Sequence, residues 1–174
     1  AYDYSTITGT KASGAEISGY SGALEVNVVD FGADKKGKKD SSKAIQKALD
    51  YAIDNGSNSV QIKVVVPKGK YRIDKLLEIY SNTWLYLEDG ATIVRNFDKG
   101  CMIKNAQANG AGGYGSERNI VIEGGCWDGN PSSTSRPFSN MRFGHMKNLW
   151  IKNVEIKNNY NGHHVEIGGV KGIT

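Results

Sequence analysis

Residues 148–157 read NLWIKNVEIK, and this stretch decides the fold. Apolar side chains alternate from Leu149 to Ile151, the alternation breaks at Asn153, and it resumes in VEI. A period of two residues predicts a strand with one buried face, and the break predicts a bend. We therefore interpret the stretch as two short strands that meet at a corner and offer their apolar side chains to one interior.

The phrase that opens this stretch, Asn followed by apolar, any and apolar residues, recurs along the chain. NTWL begins at Asn82, NIVI at Asn119, NLWI at Asn148, and a shorter GIT at Gly172. These starts are 37, 29 and 24 residues apart, and the two longer intervals contain the loops AQANGAGGYGSE and NPSSTSRP. Without the loops each step shortens to roughly two dozen residues, which predicts a β-solenoid.

Length and composition agree with one domain of short strands. The 174 residues are 39% hydrophobic, and 22 glycines against 3 prolines favour tight bends over a helix bundle. No run approaches the roughly 18 apolar residues of a membrane span, and the N-terminal residues lack a signal-peptide layout. The composition of residues 1–23 predicts an extended or disordered lead-in, and residues 24–174 are predicted to form the domain.

One helix is predicted, over residues 41–54. Asp40 or Ser41 is available as its N-cap, and Gly56 is placed to end it. It follows a short strand that carries Val26, Val28 and Phe31 and a basic loop, GADKKGKKD. The helix is amphipathic, with one apolar stripe. That stripe consists of Ala44, Ile45, Ala48, Leu49, Ala52 and Ile53.

The net charge of +4 is concentrated in the basic loop, at Lys35, Lys36, Lys38 and Lys39. The preferred interpretation is a solvated loop, with nucleic-acid binding as the alternative, so no nucleic-acid partner is predicted. A weak preference for acidic polymers is compatible with this charge.

The two cysteines, Cys101 and Cys126, are too few for a disulfide scaffold. They have no CxxC spacing and no neighbouring histidine, so neither a zinc site nor another metal or cofactor is predicted. Cys126 is expected to point inward, and a disulfide between the two is not expected.

Three further segments carry a family resemblance. They read VVDFGADKKGKKDSSKAIQKALDYA with VVVPKGKYRI, then IEGGCWDGN, then NLWIKNVEIKNNYNGHHVEIGGVKGIT. They resemble the DFGA strand, loop and capping helix, the Gly-Gly-x-x-Asp-Gly-Asn segment, and the Asn-rich rungs of the pectate-lyase and polygalacturonase-like superfamily. The lysine-rich loop departs from that family's commoner Gly/Asp-rich version.

The resemblance covers the chain from Glu25 to its end and implies an all-β fold. The implied fold is a right-handed parallel β-helix, or solenoid, with one N-terminal capping α-helix. We expect three to four rungs from about Val60 onward. Polysaccharide hydrolases, lyases, epimerases and phage tailspikes share this opening, so it implies a fold rather than one activity.

In such a helix, one strand of each rung forms the floor of a groove that holds the glycan. Three segments align as that strand, at residues 101–104, 141–144 and 164–167. The period of two places Ile103, Phe143, Val165 and Ile167 inward. It places outward Met102, Lys104, Arg142, His164 and Glu166.

Among the outward residues, Arg142, His164 and Glu166 can supply a clamp for a uronate carboxylate, a base and a proton donor. The spacing of neighbouring rungs, about 4.8 Å, allows Arg142 and His164 to touch. Lys104 is a further candidate for substrate binding. The alternative is a solvated patch whose charges neutralise each other.

Three other residues are candidates for function. Asp128, in WDGN, is either a turn residue or a catalytic carboxylate. Trp127 and Trp150 are the aromatic residues expected to reach the surface, where they either stack on sugar rings or pack under a loop. The sequence shows neither a pair of glycosidase carboxyls nor the acid motifs of the resembled polygalacturonases.

The leading functional hypothesis is the N-terminal fragment of a secreted or surface-attached protein that cleaves an acidic polysaccharide such as pectin. The alternative is a glycan-binding adhesin or tailspike that cleaves nothing, and nucleic-acid binding ranks third. The chain stops at Thr174 inside the fourth Asn/Gly phrase, so we expect it to lack the catalytic residues. We also expect either self-association through an uncapped last rung or support of that rung by an unseen remainder of the protein.

Overall fold

Parallel strands wrap around one apolar interior as a right-handed β-helix, as predicted. The computed structural model describes residues 10–12, 22–110 and 112–174, so most of the predicted lead-in lies outside the described residues. In chain order the elements are β1 (Thr10–Ala12), β2 (Gly22–Asn27), β3 (Lys36–Asp40), α1 (Ser42–Asn55), β4 (Val60–Val66), β5 (Gly69–Ile73), β6 (Leu77–Ile79), β7 (Thr83–Leu87), β8 (Ala91–Arg95), β9 (Ile103–Asn105), β10 (Arg118–Glu123), β11 (Cys126–Asp128), β12 (Met141–Lys152), β13 (Glu155–Lys157) and β14 (Val165–Ile173).

The strands stack into three faces, which the chain visits in the same order on every rung. Face A contains β2, β4, β7, β10 and the second half of β12, and face B contains β3, β5, β8, β11 and β13. Face C contains β6, β9 and the first halves of β12 and β14. β12 passes from face C to face A at His145, whose φ of 56° makes the bend.

Four successive rungs start at β4, β7, β10 and the second half of β12, in agreement with the expected three to four. The ladder begins earlier than expected, because β2 pairs in parallel with β4, from Gly22 opposite Val60 to Asn27 opposite Val65. β1 lies antiparallel to β2.

The repeated Asn phrase marks the same corner before β7, β10 and the second half of β12. Asn82, Asn119 and Asn148 adopt left-handed φ values of 64°, 58° and 55°, a conformation that Asn tolerates better than most residues. Asn148 Nδ2 donates to Asn119 Oδ1 at 2.9 Å, and Asn119 Nδ2 donates to Asn82 Oδ1 at 3.4 Å. Gly172 follows at the next level with φ 79°. The unequal sequence intervals therefore correspond to equal steps of one rung.

Helix α1 closes the N-terminal end of the interior. Ile45, Ala48 and Leu49 are fully buried in the main apolar cluster. Gln46 lies against β6, where its Nε2 donates to the carbonyl of Glu78 at 2.9 Å and its Oε1 accepts from the Glu78 N–H at 2.8 Å. The helix thus covers apolar surface and satisfies backbone groups of the strand edge, which are the two tasks of a solenoid cap.

The ends of α1 decide between the two predicted caps. Asp40 Oδ1 accepts from the Ser42 N–H at 2.8 Å, whereas the hydroxyl of Ser41 accepts from the N–H of Asp34. Gly56 donates to the carbonyl of Ala52 and ends the helix. Ser41 is therefore the N-cap residue without a side-chain capping bond, and the side chain of Asp40 accepts from the first N–H of the helix instead.

Three local predictions were wrong. Residues Val28–Phe31 form a 3-10 turn rather than the end of a strand. Residues Lys36–Asp40, predicted as loop, form β3 because they pair with β5. Ile53, assigned to the apolar stripe, is 55% exposed because it lies at the edge of the helix face.

No helix in the described ranges is long and apolar enough to cross a membrane.

Candidate functional site

A groove with a volume of about 480 Å³ runs along face C. Its floor carries Lys104 from β9, Arg142 from β12 and Glu166 from β14. Its walls come from the two long loops that made the sequence repeat uneven, with Asn109 from one and Pro137 from the other, and from the segment before β14, with His163. Both loops border face C, because one leaves β9 and the other leads into β12.

Four charged residues form one column across the rungs of face C. Strand register places Glu78 beside Lys104, Lys104 beside Arg142, and Arg142 beside Glu166. Lys104 Nζ lies 3.0 Å from Glu78 Oε1, and Arg142 Nε lies 3.2 Å from Glu166 Oε1. The hydroxyl of Ser139 also donates to Glu166 Oε2 at 3.2 Å. The two cations are thus neighbours, and each has a carboxylate on its far side.

The two ion pairs differ in exposure. The side chains of Arg142 and Glu166 are 43% and 44% exposed, whereas that of Lys104 is 19% exposed beside Glu78. Exposed pairs contribute about 0 to 1 kcal/mol, so the carboxylate of a ligand can compete for Arg142 above all. The column therefore has a feature of each interpretation of the sequence. Its charges neutralise each other, as in a solvated patch, and two cations lie on the groove floor, as in a binding site.

The structure brings together three of the predicted groove residues, Lys104, Arg142 and Glu166. The expected neighbour of Arg142, His164, is not its register partner, because β14 begins at Val165 and places Glu166 opposite Arg142. His163 lines the groove instead.

Two residues on face C differ in exposure from what their predicted directions imply. Met102, predicted to face outward, is fully buried in the main core. It precedes the first residue of β9, Ile103, so the alternation of the strand does not extend to it. Ile167, predicted to face inward, is 41% exposed although it is in register with buried Phe143.

Asp128 lies away from the groove, on β11 of face B. Its Oδ1 accepts from the backbone N–H of Asn130 at 3.0 Å and from Nδ2 of Asn158 at 2.9 Å. These contacts fit the turn interpretation rather than the catalytic one.

Trp127 does not reach the surface, so that prediction was wrong. Its side chain is fully buried and in register with Ile93 of the interior. Cys126, predicted inward, therefore takes the opposite side of β11. The preceding residues, Gly124 and Gly125, have φ values of 77° and 60°, and this double turn shifts the alternation by one residue.

Trp150 lies on the outer side of face A and not at the groove. It is half-buried against Val121, which is in register with Trp84 on the other side. Trp84 Nε1 donates to Glu123 Oε2 at 2.8 Å, and Lys63 Nζ lies 4.7 Å from the centre of its ring. The aromatic cluster is thus part of the wall of face A.

Two residues beneath the groove were missed by sequence reasoning. Phe138 lines the groove, and fully buried Arg95 places its guanidinium 4.0 Å from the Phe138 ring and 4.3 Å from Phe97. Arg95 also donates to the carbonyl of Gly100 and the hydroxyl of Ser133, and burial lowers its pKa. Arg95 therefore ties together two loops at the groove. A single arginine and a phenylalanine in a loop belong to no repeating pattern, so the sequence did not predict their positions.

Both cysteines are free and buried. Burial raises the pKa of the Cys101 thiol and that of the Cys126 thiol, so both stay protonated near neutral pH. Within the described residues, no group of three or more His, Cys, Asp or Glu side chains could hold a metal ion.

The parallel rungs, the capping helix and the groove on face C are the features of a pectate-lyase-like parallel β-helix. The family model described as "Rhamnogalacturonase A/epimerase, pectate lyase-like" matches residues 25–172. The chain belongs to this family.

Individual relatives are longer than this chain. The plasmin and fibronectin-binding protein A of Streptococcus pneumoniae is 30% identical over 172 residues, covering 85% of this chain and 23% of that protein. The solved structure of PfbA, a surface adhesin of S. pneumoniae, has a TM-score of 0.61 at 22% identity, covering 84% of this chain and 38% of that one.

Two enzymes share the fold. The A-module of mannuronan C-5 epimerase AlgE6 from Azotobacter vinelandii has a TM-score of 0.64 at 21% identity, covering 83% of this chain and 40% of that chain. The family 28 exopolygalacturonase of Yersinia enterocolitica has a TM-score of 0.65 at 19% identity, covering 84% and 38%. The chain thus spans well under half of each of these relatives.

Proposed function

We propose that this chain binds an anionic polysaccharide in the face C groove, as part of a polysaccharide-active β-helix protein that works outside the cell or on its surface. The observation that carries the proposal is the pair of cations, Lys104 and Arg142, side by side on the groove floor. The family of the chain, and the epimerase, exopolygalacturonase and surface adhesin that share its fold, support it.

The chemistry of the two cations suits carboxylate groups. A guanidinium can bind a carboxylate with two parallel hydrogen bonds, and an ammonium adds a compact charge. Lys104 and Arg142 stand on adjacent rungs, about 4.8 Å apart. A uronate bound across the rungs can therefore contact both, with Ser139 and Asn109 as neutral hydrogen-bonding groups on the walls.

The same groove lacks the acid pair of a glycosidase. Glu166 is the one carboxylate among the described residues that line it. Glu78, in the same column, stands three rungs away, roughly 14 Å at about 4.8 Å per rung. Glycosidase carboxyls lie roughly 5 Å apart in retaining enzymes and about 6.5 to 9.5 Å apart in inverting ones. We therefore propose that these residues bind glycan and do not hydrolyse it.

For the whole protein the proposal leaves two forms. In the first, a hydrolase or lyase site is completed by residues of a longer protein, as the length of the enzyme relatives allows. In the second, the protein is a non-catalytic adhesin, which the similarity to the pneumococcal binding protein favours. A pair of carboxyls at glycosidase spacing elsewhere on face C would select the first form.

Arg142→Ala tests the groove, with oligogalacturonate as the probe. We expect binding to weaken about tenfold or more, because a charge-assisted hydrogen bond contributes about 1.5 to 3 kcal/mol. The melting temperature should stay nearly unchanged, since the side chain is exposed. Titration calorimetry measures the affinity, and assays for reducing ends and unsaturated products should detect no cleavage by the unaltered chain.

The matched control for that test is Arg136→Ala. Arg136 forms an exposed ion pair with Asp98 at 3.0 Å and does not line the groove. Its variant should bind oligogalacturonate like the parent. Equal affinities in parent and Arg142→Ala would reject the groove proposal, and release of product by the parent would reject binding without cleavage.

Self-association through β14 remains a prediction. Ile167 and Ile173, in register with Phe143 and Leu149 of the interior, are 41% and 50% exposed. An apolar rung with an open edge is a template for pairing with a second copy. Sedimentation velocity should show a larger species as concentration rises, and Ile167→Lys should suppress it. A sedimentation coefficient independent of concentration would contradict this prediction.

A further inference from the structure

The first rungs of face B carry a dense patch of exposed lysines, on a different face from the groove floor. This lysine patch comes from β3, β5 and the segments that lead into them. Among the described residues no ion-pair partner is found for any of its members. They are Lys35, Lys36, Lys38, Lys39, Lys68 and Lys70. Four of these ammonium groups are on the two neighbouring strands and two are on the segments before them, and their six charges exceed the whole net charge of +4.

Backbone pairing holds the lysine patch together. Strand register places Lys36 beside Lys70, and the Lys70 N–H donates to the carbonyl of Lys35 at 2.9 Å. Glycines allow this close approach, because a Cβ at Gly69 would lie 2.8 Å from the Lys35 carbonyl oxygen. Neighbouring strands are about 4.8 Å apart, so the ammonium groups are set on a firm support and not on a free loop.

Nearby carboxylates accept hydrogen bonds mainly from backbone N–H groups. Asp34 accepts from the N–H groups of Lys36, Lys38 and Lys39 at 3.0, 2.8 and 2.8 Å. These N–H donors, that of Lys39 above all, hold the pKa of Asp34 below its usual value, and the charge of Lys39 makes a smaller contribution in the same direction. Glu88 Oε2 accepts from the Lys68 N–H at 3.0 Å. The lysine ammonium groups therefore repel one another, and an external polyanion would relieve that repulsion.

We propose that the lysine patch binds a linear sulfated polysaccharide, independently of the face C groove. Runs rich in lysine are a general mark of polyanion binding, and ammonium groups act as point charges that suit the dense charge of such a polymer. Proteins that bind single-stranded nucleic acids combine a basic groove with aromatic platforms for the bases. The one aromatic residue of β3 and β5, Tyr71, is fully buried, so the patch offers charge without a stacking surface.

The test measures heparin binding by the 174-residue chain at physiological ionic strength. The triple variant Lys36→Ser, Lys38→Ser and Lys70→Ser should bind heparin about tenfold more weakly, since each exposed charge contact adds a little to affinity. Binding to the parent should weaken steeply as salt rises, because the contacts are electrostatic. Oligogalacturonate binding in the groove should stay unchanged, which separates this proposal from the proposed function.

A second triple variant controls for net charge alone. Lys99, Lys147 and Lys171 are exposed and lie outside the lysine patch, so their replacement by Ser removes the same charge elsewhere. This control should bind heparin like the parent. Equal weakening in both triple variants, or no heparin binding by the parent, would overturn the proposal. Tighter binding of single-stranded DNA than of heparin would overturn it in favour of nucleic acid.

Discussion

Leu49→Asp is expected to unfold the chain at room temperature. Leu49 lies on the inner face of α1, where it is fully buried in the main core. A carboxylate there has no partner, and burying it costs several kcal/mol against a total stability of about 5 to 15 kcal/mol. Loss of the cap also exposes the apolar interior of the first rungs. Circular dichroism during heating should show a transition far below that of the parent, or none.

Ile53→Asp is the matched control for this prediction. Ile53 belongs to the same helix but is 55% exposed. The same substitution should therefore change the melting temperature little. If Leu49→Asp melts like the parent, α1 does not cap the β-helix. If both variants unfold, an acid at either position disrupts the helix and the pair does not test burial. Leu49→Ala then tests it, and we expect that variant to lose about 2 to 5 kcal/mol of the free energy of unfolding.

The second large effect is expected at Trp127. Trp127→Ala should lower the free energy of unfolding by about 3 to 5 kcal/mol, because it removes the largest fully buried side chain of the core. Trp150→Ala should lower it by less than half as much, since Trp150 is half-buried on the outer side of face A. Urea unfolding followed by circular dichroism measures both.

The two tryptophan variants test the burial of Trp127 in the structure against the prediction from the sequence. That assignment made both of them surface residues. Similar, small losses for the two variants would restore it and would contradict the burial of Trp127. A large loss for Trp127→Ala and a small one for Trp150→Ala would support the alternation of β11 as described.

The repeat was predictable because its signals are local. Alternating apolar residues and an Asn at each corner are readable one rung at a time, and Asn82, Asn119 and Asn148 indeed stack. The phase of a strand was less predictable, since it depends on the turn before it. The two left-handed glycines, Gly124 and Gly125, exchanged the sides of the next two residues, and nothing in the alternation of a three-residue strand could reveal this.

The candidate site divides in the same way. Lys104, Arg142 and Glu166 were predicted because alignment of three strand segments places them on one face. Phe138 and Arg95 were not, because their positions follow from how two loops pack on each other. Long-range packing of aperiodic segments leaves no pattern in the sequence, and these segments form the walls of the groove.

The stacked asparagines have one consequence for how such a protein can change. Each amide fixes the start of a turn in space, so the length of chain between two of them is free to vary, as intervals of 37 and 29 residues for the same step demonstrate. The surplus residues lie beside face C, where they shape the groove. Insertions and deletions can therefore remodel what the groove accepts while the ladder and the core keep their register, so ligand preference and stability can evolve separately.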